Sequence, residues 1–196
     1  MIYTATITSA SLRLRETKII ADLLLQHVND QDWKRAIFEQ NVLQMGSIES
    51  IKRISRLLRT RIEPFGSGLW TMIRDGDQLQ SKQSAFAGAI KHSRLLGDFM
   101  DITVREQKAL FATKLEYRMW NDYIEVCRIR DPDMPDWSEA TLARLRSSVF
   151  SMMTEAGYLK DTRSLSLQNV FVDSQLSTYL RDLEEIYVLR CLEVME

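Results

Sequence analysis

The stretch IESIKRISRLLRTRI, residues 48–62, repeats apolar side chains at three- and four-residue steps. At about 100° per residue, this spacing places them on one stripe of an α-helix. Ser47 is the predicted N-cap, and the helix should end before Pro64 because the residue preceding a proline avoids the α region. The stripe that we expect to face the core consists of Ile48, Ile51, Ile54, Leu58 and Ile62.

The opposite side of this helix carries positive charge within an arc of roughly 120°. It consists of Lys52, Arg53, Arg56 and Arg59, here called the cationic face. Ser55 and Thr60 are predicted to lie beside it as hydrogen-bond donors. Such a face can neutralise several phosphates of a nucleic acid with little sequence preference. The alternative is a solvated face paired with acidic neighbours, which Glu49 on the same arc favours. From the residues alone, both interpretations remain open.

Helical periodicity continues on both sides of this stretch. The further predicted helices lie at about 12–28, 33–38, 69–73, 78–96, 103–111, 116–129, 136–156 and 174–194. The helix at 103–111 is predicted from the capping-box spacing of Thr103 and Glu106. Only 7 Gly and 3 Pro among 196 residues leave little material for the turns between many short strands. The sequence therefore predicts a mostly α-helical fold, a compact helical bundle.

Two of the three prolines fall in residues 131–136, the best predicted boundary in the chain. It divides an N-terminal helical bundle, 1–130, from a C-terminal helix–hairpin–helix subdomain, 136–196, which we expect to pack on the first. In this second part a helix ends at Gly157. The sequence that follows, with a polar turn at 160–163, predicts a small β-hairpin.

A helix followed by a hairpin is also the order of the last helix and wing in winged helix-turn-helix proteins. In that interpretation Arg144 lies on a helix that enters a DNA groove, and Lys160 and Arg163 lie in a wing that touches the backbone. The alternative is a hairpin that only caps the helical core. We slightly favour this alternative over the winged-helix interpretation, because only two arginines lie on the candidate helix.

Composition excludes several classes of protein. With 26 basic and 27 acidic residues the net charge is −1, so no global basic field indicates a nucleic-acid partner. Residues 173–196 hold two Arg and six acidic residues, which leaves the preceding part mildly basic. Two Cys exclude a disulfide framework. No apolar run approaches the roughly 18 residues that a membrane span needs, and the N-terminus does not resemble a signal peptide. We therefore expect a cytoplasmic protein with no membrane partner.

Signals for catalysis are weak. His27 and His92 lie on different predicted helices without ligand partners at helical spacing, so no metal site is predicted. The acidic groups at 98–101 and 131–136 suit helix caps and loops better than a divalent ion. The glycines at 66–68 lack the lysine and spacing of a phosphate-binding loop. We expect no enzyme activity, no cofactor and no small-molecule substrate.

Three stretches resemble a known family. They are ITSASL at 7–12, ETKIIADLLL at 16–25 and SIKRISRLLRTRI at 50–62. Together they are similar to the BrxA family, small accessory proteins of bacterial BREX phage-defence systems. The resemblance implies a helical fold like that of the antitermination factor NusB, a nucleic-acid-binding fold. It favours nucleic-acid binding by the cationic face and brings no catalytic residues with it.

These observations predict a non-enzymatic accessory protein of a BREX system that binds duplex DNA through basic helical surface. Its other partners would be the BREX proteins that carry out methylation and ATP-driven steps. Two alternatives remain open. One is RNA binding in the manner of NusB, and the other is a scaffold whose charged helix docks another BREX subunit.

Overall fold

The structure is a computed structural model that describes residues 2–194. Helices dominate this part of the chain, as predicted. The α-helices are α1 Leu14–Leu25, α2 Asp30–Lys34, α3 Ile48–Ile62, α4 Ser67–Asp75, α5 Gln78–His92, α6 Arg94–Asp98, α7 Arg105–Ala109, α8 Tyr117–Arg130, α9 Glu139–Glu155, α10 Ser174–Asp182 and α11 Ile186–Leu192. Short 3-10 helices span Ala5–Ser9 and Glu63–Phe65, and π-helical turns span Arg35–Glu39 and Phe99–Val104. The all-helical prediction is confirmed, and the likeness to NusB stays a prediction.

Helix α3 has the predicted bounds. The Ser47 hydroxyl accepts a hydrogen bond from the Ser50 amide at 3.2 Å, which caps the helix as expected. The helix gives way to the 3-10 turn that contains Pro64. Four residues of the predicted stripe are buried, but Ile48 is 67% exposed. Including Ile48 in the core was wrong, because the first residue of the helix extends beyond the neighbouring elements.

The core forms where α1 packs against α3 and α4, and α5 packs against α3, α4 and α11. Helix α5 is buried on almost every side and is rich in small residues between 84 and 89. Gly88 is the point of closest approach to α3, since a Cβ there would lie 2.9 Å from the Arg61 carbonyl oxygen. The two helix backbones can approach this closely only because the side chain is absent.

Two helix boundaries differ from the prediction. Ser93, not Thr103, caps the helical segment that continues from α6 through the π-helical turn into α7. Thr103 is buried inside that segment, so its capping-box spacing was misleading. The single helix predicted at 174–194 is broken between α10 and α11, where Glu184 has a left-handed backbone with φ of 58°. Leu183 is exposed at this break.

The predicted β-hairpin is absent. In residues 2–194, extended pairing in this region is limited to the isolated bridges Leu159–Leu167 and Lys114–Ser166. Leu165 has a left-handed φ of 51°, which interrupts the extended conformation that a strand requires. The helix before it ends at Gly157 with φ of 91°, as predicted. Because no strand ladder follows α9 in the described part of the chain, the winged-helix interpretation is not supported either.

The predicted boundary at 131–136 forms an exposed loop with one buried anchor. The Asp131 carboxylate accepts hydrogen bonds from the backbone amides of Ile2 and Tyr3, the latter at 3.0 Å. The 3-10 helix Ala5–Ser9 packs against both α3 and α9. Residues 2–9, here called the N-terminal arm, therefore contact the segments before and after the boundary. The division into 1–130 and 136–196 stays a prediction.

Candidate nucleic-acid interface

The cationic face lies on the solvent side of α3. The side chains of Lys52, Arg53 and Arg56 are exposed there. Arg59 is half-buried, because its guanidinium lies 4.6 Å from the centroid of the Trp33 ring and pairs with Glu63 at 2.7 Å. The face therefore consists of three exposed cations and one that is held against the protein.

The two hydroxyls predicted beside this face are used within the helix. Ser55 is buried, and its hydroxyl donates to the Lys52 carbonyl oxygen at 3.3 Å. Placing Ser55 on the exposed side was wrong. Thr60 is exposed, but its hydroxyl donates to the Arg56 carbonyl oxygen at 2.8 Å. Neither hydroxyl is directed as a donor toward solvent.

The acidic C-terminal part of the described chain, residues 173–194, does not cover the cationic face. Its helices α10 and α11 pack against α4 and α5, and two of its carboxylates pair with other cations, Glu185 with Lys91 and Glu193 with Arg181. No carboxylate in residues 2–194 forms an ion pair with Lys52 or Arg56. These two side chains are therefore available to a partner outside the chain.

A groove of about 640 Å³ runs beside the cationic face. We call it the α3 groove, and its lining residues are Thr6, Glu49, Lys52, Arg53, Arg56, Leu57, Thr60 and His92. Burial and the charge of Arg61 lower the pKa of His92, so this imidazole is neutral at neutral pH. Its Nδ1 atom is buried and has no hydrogen-bond partner. Sequence reasoning missed His92 as a lining residue of this groove, because only the fold brings the end of α5 next to α3.

The second set of predicted contacts lies on α9 and the loop after it. Arg144, Lys160 and Arg163 are all exposed. Asp161 shapes the loop, because its carboxylate accepts hydrogen bonds from the amides of Ser164 at 2.7 Å and Arg163 at 2.8 Å. Hydrogen bonds from the backbone and hydroxyl of Ser164, and from the backbone of Arg163, lower the pKa of Asp161. The turn therefore stays ordered around an ionised carboxylate.

Of these three residues, Arg163 lies in a second groove, of about 480 Å³. Arg146 lines the same groove, with its guanidinium 4.8 Å from the centroid of the Tyr117 ring. The exposed Lys114 lies on the segment bridged to Ser166. Sequence reasoning missed Arg146 and Lys114. Arg146 could have been found, since it follows Arg144 on the same predicted helix, but Lys114 reaches this region only through the fold.

The candidate metal ligands are engaged in structural contacts. Asp98 is 3% exposed, pairs with Arg94 at 2.9 Å, and accepts hydrogen bonds from the hydroxyls of Tyr3 at 2.7 Å and Tyr187 at 2.8 Å. Asp101 pairs with Arg105 and Arg190. Within residues 2–194, His, Cys, Asp and Glu side chains do not form a group of three that could hold a metal ion.

Across residues 2–194, no helix is both long and apolar enough to cross a membrane.

Comparisons with known proteins agree with the resemblance noted in the sequence. The BrxA family model matches residues 1–184. A protein of Paramagnetospirillum magneticum named BREX protein BrxA is 44% identical over 192 residues, 98% of this chain and 96% of the relative. A protein of the same name from Escherichia coli O9:H4 (strain HS) is 28% identical over 93% of this chain and 85% of the relative.

A solved structure also matches along the whole fold. The crystal structure of an uncharacterized protein from Magnetospirillum magneticum is 43% identical in sequence and superposes with a TM-score of 0.91. The match covers 99% of this chain and 100% of that one. With the family model matched over most of its length and a relative 44% identical, this chain belongs to the BrxA family of BREX proteins.

Proposed function

We propose that this chain is a non-enzymatic accessory protein of BREX phage defence that binds duplex DNA through its basic helical surface. The observation that carries the proposal is the cationic face of α3, where Lys52 and Arg56 are exposed and have no carboxylate partner in residues 2–194. They lie one helical turn apart, about 6 Å along the axis, so both can contact phosphates of one DNA strand.

The surface on α9 and its following loop extends this binding surface. Both α3 and α9 pack against the 3-10 helix Ala5–Ser9, so one short element holds the two helices that carry basic residues. Arg144, Lys160 and Arg163 would add phosphate contacts that position the duplex without reading its sequence. This role needs only exposed cations and does not require a wing.

The experiment is a titration of duplex DNA at several salt concentrations, followed by fluorescence anisotropy. Each phosphate neutralised contributes about 0.9 to the slope of log affinity against log salt, so Lys52→Ala/Arg56→Ala should flatten the slope by about 2. The matched control is Arg128→Ala/Arg181→Ala, which removes two arginines on other helices. An unchanged slope in the folded α3 variant, or an equal loss in the control, would refute this binding surface.

RNA binding is tested in the same titration with an RNA duplex and a single strand of matched length. A clear preference for RNA would favour the NusB-like alternative over duplex DNA. Activity is tested with the same purified protein, which should neither cut nor methylate DNA nor hydrolyse ATP when Mg²⁺ is supplied. An activity that copurifies and is lost in Asp98→Asn would contradict the non-enzymatic assignment.

A second candidate function is docking of a protein partner on a surface other than the charged helix of the scaffold alternative. Helix α8 exposes Val126 and Ile129, the latter 80% exposed, and their i,i+3 spacing places both on one face of the helix. Binding of a purified BREX subunit that is insensitive to salt and lost in Ile129→Glu would support this function. The DNA proposal predicts that the same variant retains full affinity for the duplex.

A further inference from the structure

The α3 groove has the size of a small-molecule site. Its volume of about 640 Å³ lies within the roughly 300–1,000 Å³ typical of ligand pockets. Three separate elements supply its walls, since Thr6 lies on the N-terminal 3-10 helix and His92 ends α5. The groove therefore lies where α3, the 3-10 helix and the end of α5 meet.

One side of the groove suits a phosphate group. Lys52, Arg53 and Arg56 line it, and ammonium and guanidinium groups form short, charge-assisted hydrogen bonds to phosphate oxygens. Glu49 is the acidic residue of the lining. The lining thus has an excess of positive charge, which favours an anion over a neutral ligand.

Another part of the groove suits a flat ring. Leu57 contributes an aliphatic side chain, and His92 contributes a planar imidazole. Nucleic-acid bases stack on planar side chains, histidine included. The Nδ1 atom of His92 is buried without a hydrogen-bond partner, so this nitrogen is not a polar contact for a ligand in the groove. A ligand with only a phosphate and a sugar would leave this part of the groove unused.

We propose that the α3 groove binds a nucleotide, with the phosphate held by Lys52, Arg53 and Arg56 and the base placed between Leu57 and His92. A free mononucleotide and the 5′-phosphorylated terminal nucleotide of a DNA strand present the same chemistry. The proposal does not rest on duplex binding, because a pocket for one nucleotide can be filled whether or not a duplex binds the surface.

The experiment is isothermal titration calorimetry on the full chain with AMP, adenosine and inorganic phosphate. Two single-stranded oligonucleotides, with and without a 5′ phosphate, distinguish the sources. AMP should bind at least about tenfold more tightly than adenosine, which lacks the charge-assisted hydrogen bonds, and than phosphate, which lacks the stacked base. Tight binding of only the 5′-phosphorylated oligonucleotide identifies the strand end as the ligand. Binding of neither AMP nor that oligonucleotide overturns the proposal.

Variants locate the ligand. Thr60→Trp fills the groove without removing a cation and should abolish binding of the AMP probe, or of the 5′-phosphorylated oligonucleotide if that is the ligand. Glu49→Gln should tighten binding about two- to fivefold, because it removes one repulsive charge near the phosphate. The matched control Asp122→Asn makes the same change of net charge on the exposed side of α8 and should have no effect. If folded Thr60→Trp binds as the natural protein does, the ligand lies elsewhere and the proposal is wrong.

Duplex affinity measured in the same samples separates the two proposals. Duplex binding without binding of AMP or the 5′-phosphorylated strand overturns the nucleotide pocket alone. Nucleotide binding without duplex binding overturns only the function proposed above.

Discussion

At the scale of single residues, burial on α3 decides what a substitution costs. Leu58 is fully buried, whereas Ile48 on the same predicted stripe is 67% exposed. Leu58→Ala should lower the free energy of unfolding by about 2–5 kcal/mol, the range for truncating a large buried aliphatic side chain. Urea denaturation followed by circular dichroism measures it. The control Ile48→Ala should change the free energy of unfolding by less than about 0.5 kcal/mol. A similar loss in both variants would contradict the side of α3 that the structure turns toward the core.

A second prediction at the residue scale concerns His92 and the pH dependence of the free energy of unfolding. Burial and the charge of Arg61 lower the pKa of His92 in the folded protein, so the unfolded chain takes up this proton more readily. The stability contributed by the neutral imidazole is present above the unfolded pKa of about 6.5 and is lost as pH falls below it. The free energy of unfolding should therefore decline between about pH 7 and pH 5, and His92→Gln should remove the part of this decline that His92 causes. Urea denaturation at each pH measures it. An identical pH profile in the variant would contradict the perturbed titration.

At the scale of elements, local signals explain which predictions succeeded. The bounds of α3 were predictable because Ser47 and Pro64 act on the residues next to them. The break between α10 and α11 was not, because neither glycine nor proline marks residues 183–185. At the break, Glu185 pairs with Lys91 of α5, a contact between elements that the local sequence does not encode. The same limit applies to the candidate site, since periodicity predicts the cationic face but cannot bring His92 to it.

The prediction at the scale of elements concerns the stability of the N-terminal arm, which is held by hydrogen bonds to Asp131. Burial raises the pKa of Asp131, but hydrogen bonds from the Ile2 and Tyr3 amides outweigh it and lower the pKa below its usual value. The stability gained is present above the unfolded pKa of about 4 and is lost as pH falls further. Asp131→Ala removes the oxygen that accepts from both amides, so it should lower the free energy of unfolding and speed amide exchange at Tyr3. Unchanged exchange at Tyr3 would show that the arm is held by other contacts.

At the scale of the whole molecule, aromatic rings join the segments on either side of residues 131–136. Phe150 of α9 lies 5.9 Å from the ring centroid of Phe99 and 6.4 Å from that of Trp120. Tyr158 similarly lies 5.4 Å from Phe86 of α5. One continuous group of buried apolar residues includes both segments. Because residues 136–194 share a core with the part of the chain before residue 131, we expect the two parts to unfold together.

Calorimetric unfolding tests this coupling. The protein should melt in a single transition, and Phe150→Ala should destabilise that transition by about 3–5 kcal/mol, because a buried ring is removed from contacts with both segments. Phe171→Ala is the matched control, since it makes the same truncation in the C-terminal segment at a side chain that is 80% exposed, and should cost less than about 0.5 kcal/mol. Two separate transitions, with only one shifted by Phe150→Ala, would instead mean that 136–196 unfolds independently. The surfaces on α3 and α9 would then have to be treated as two binding modules, because no shared core would keep their basic residues in one arrangement toward a duplex.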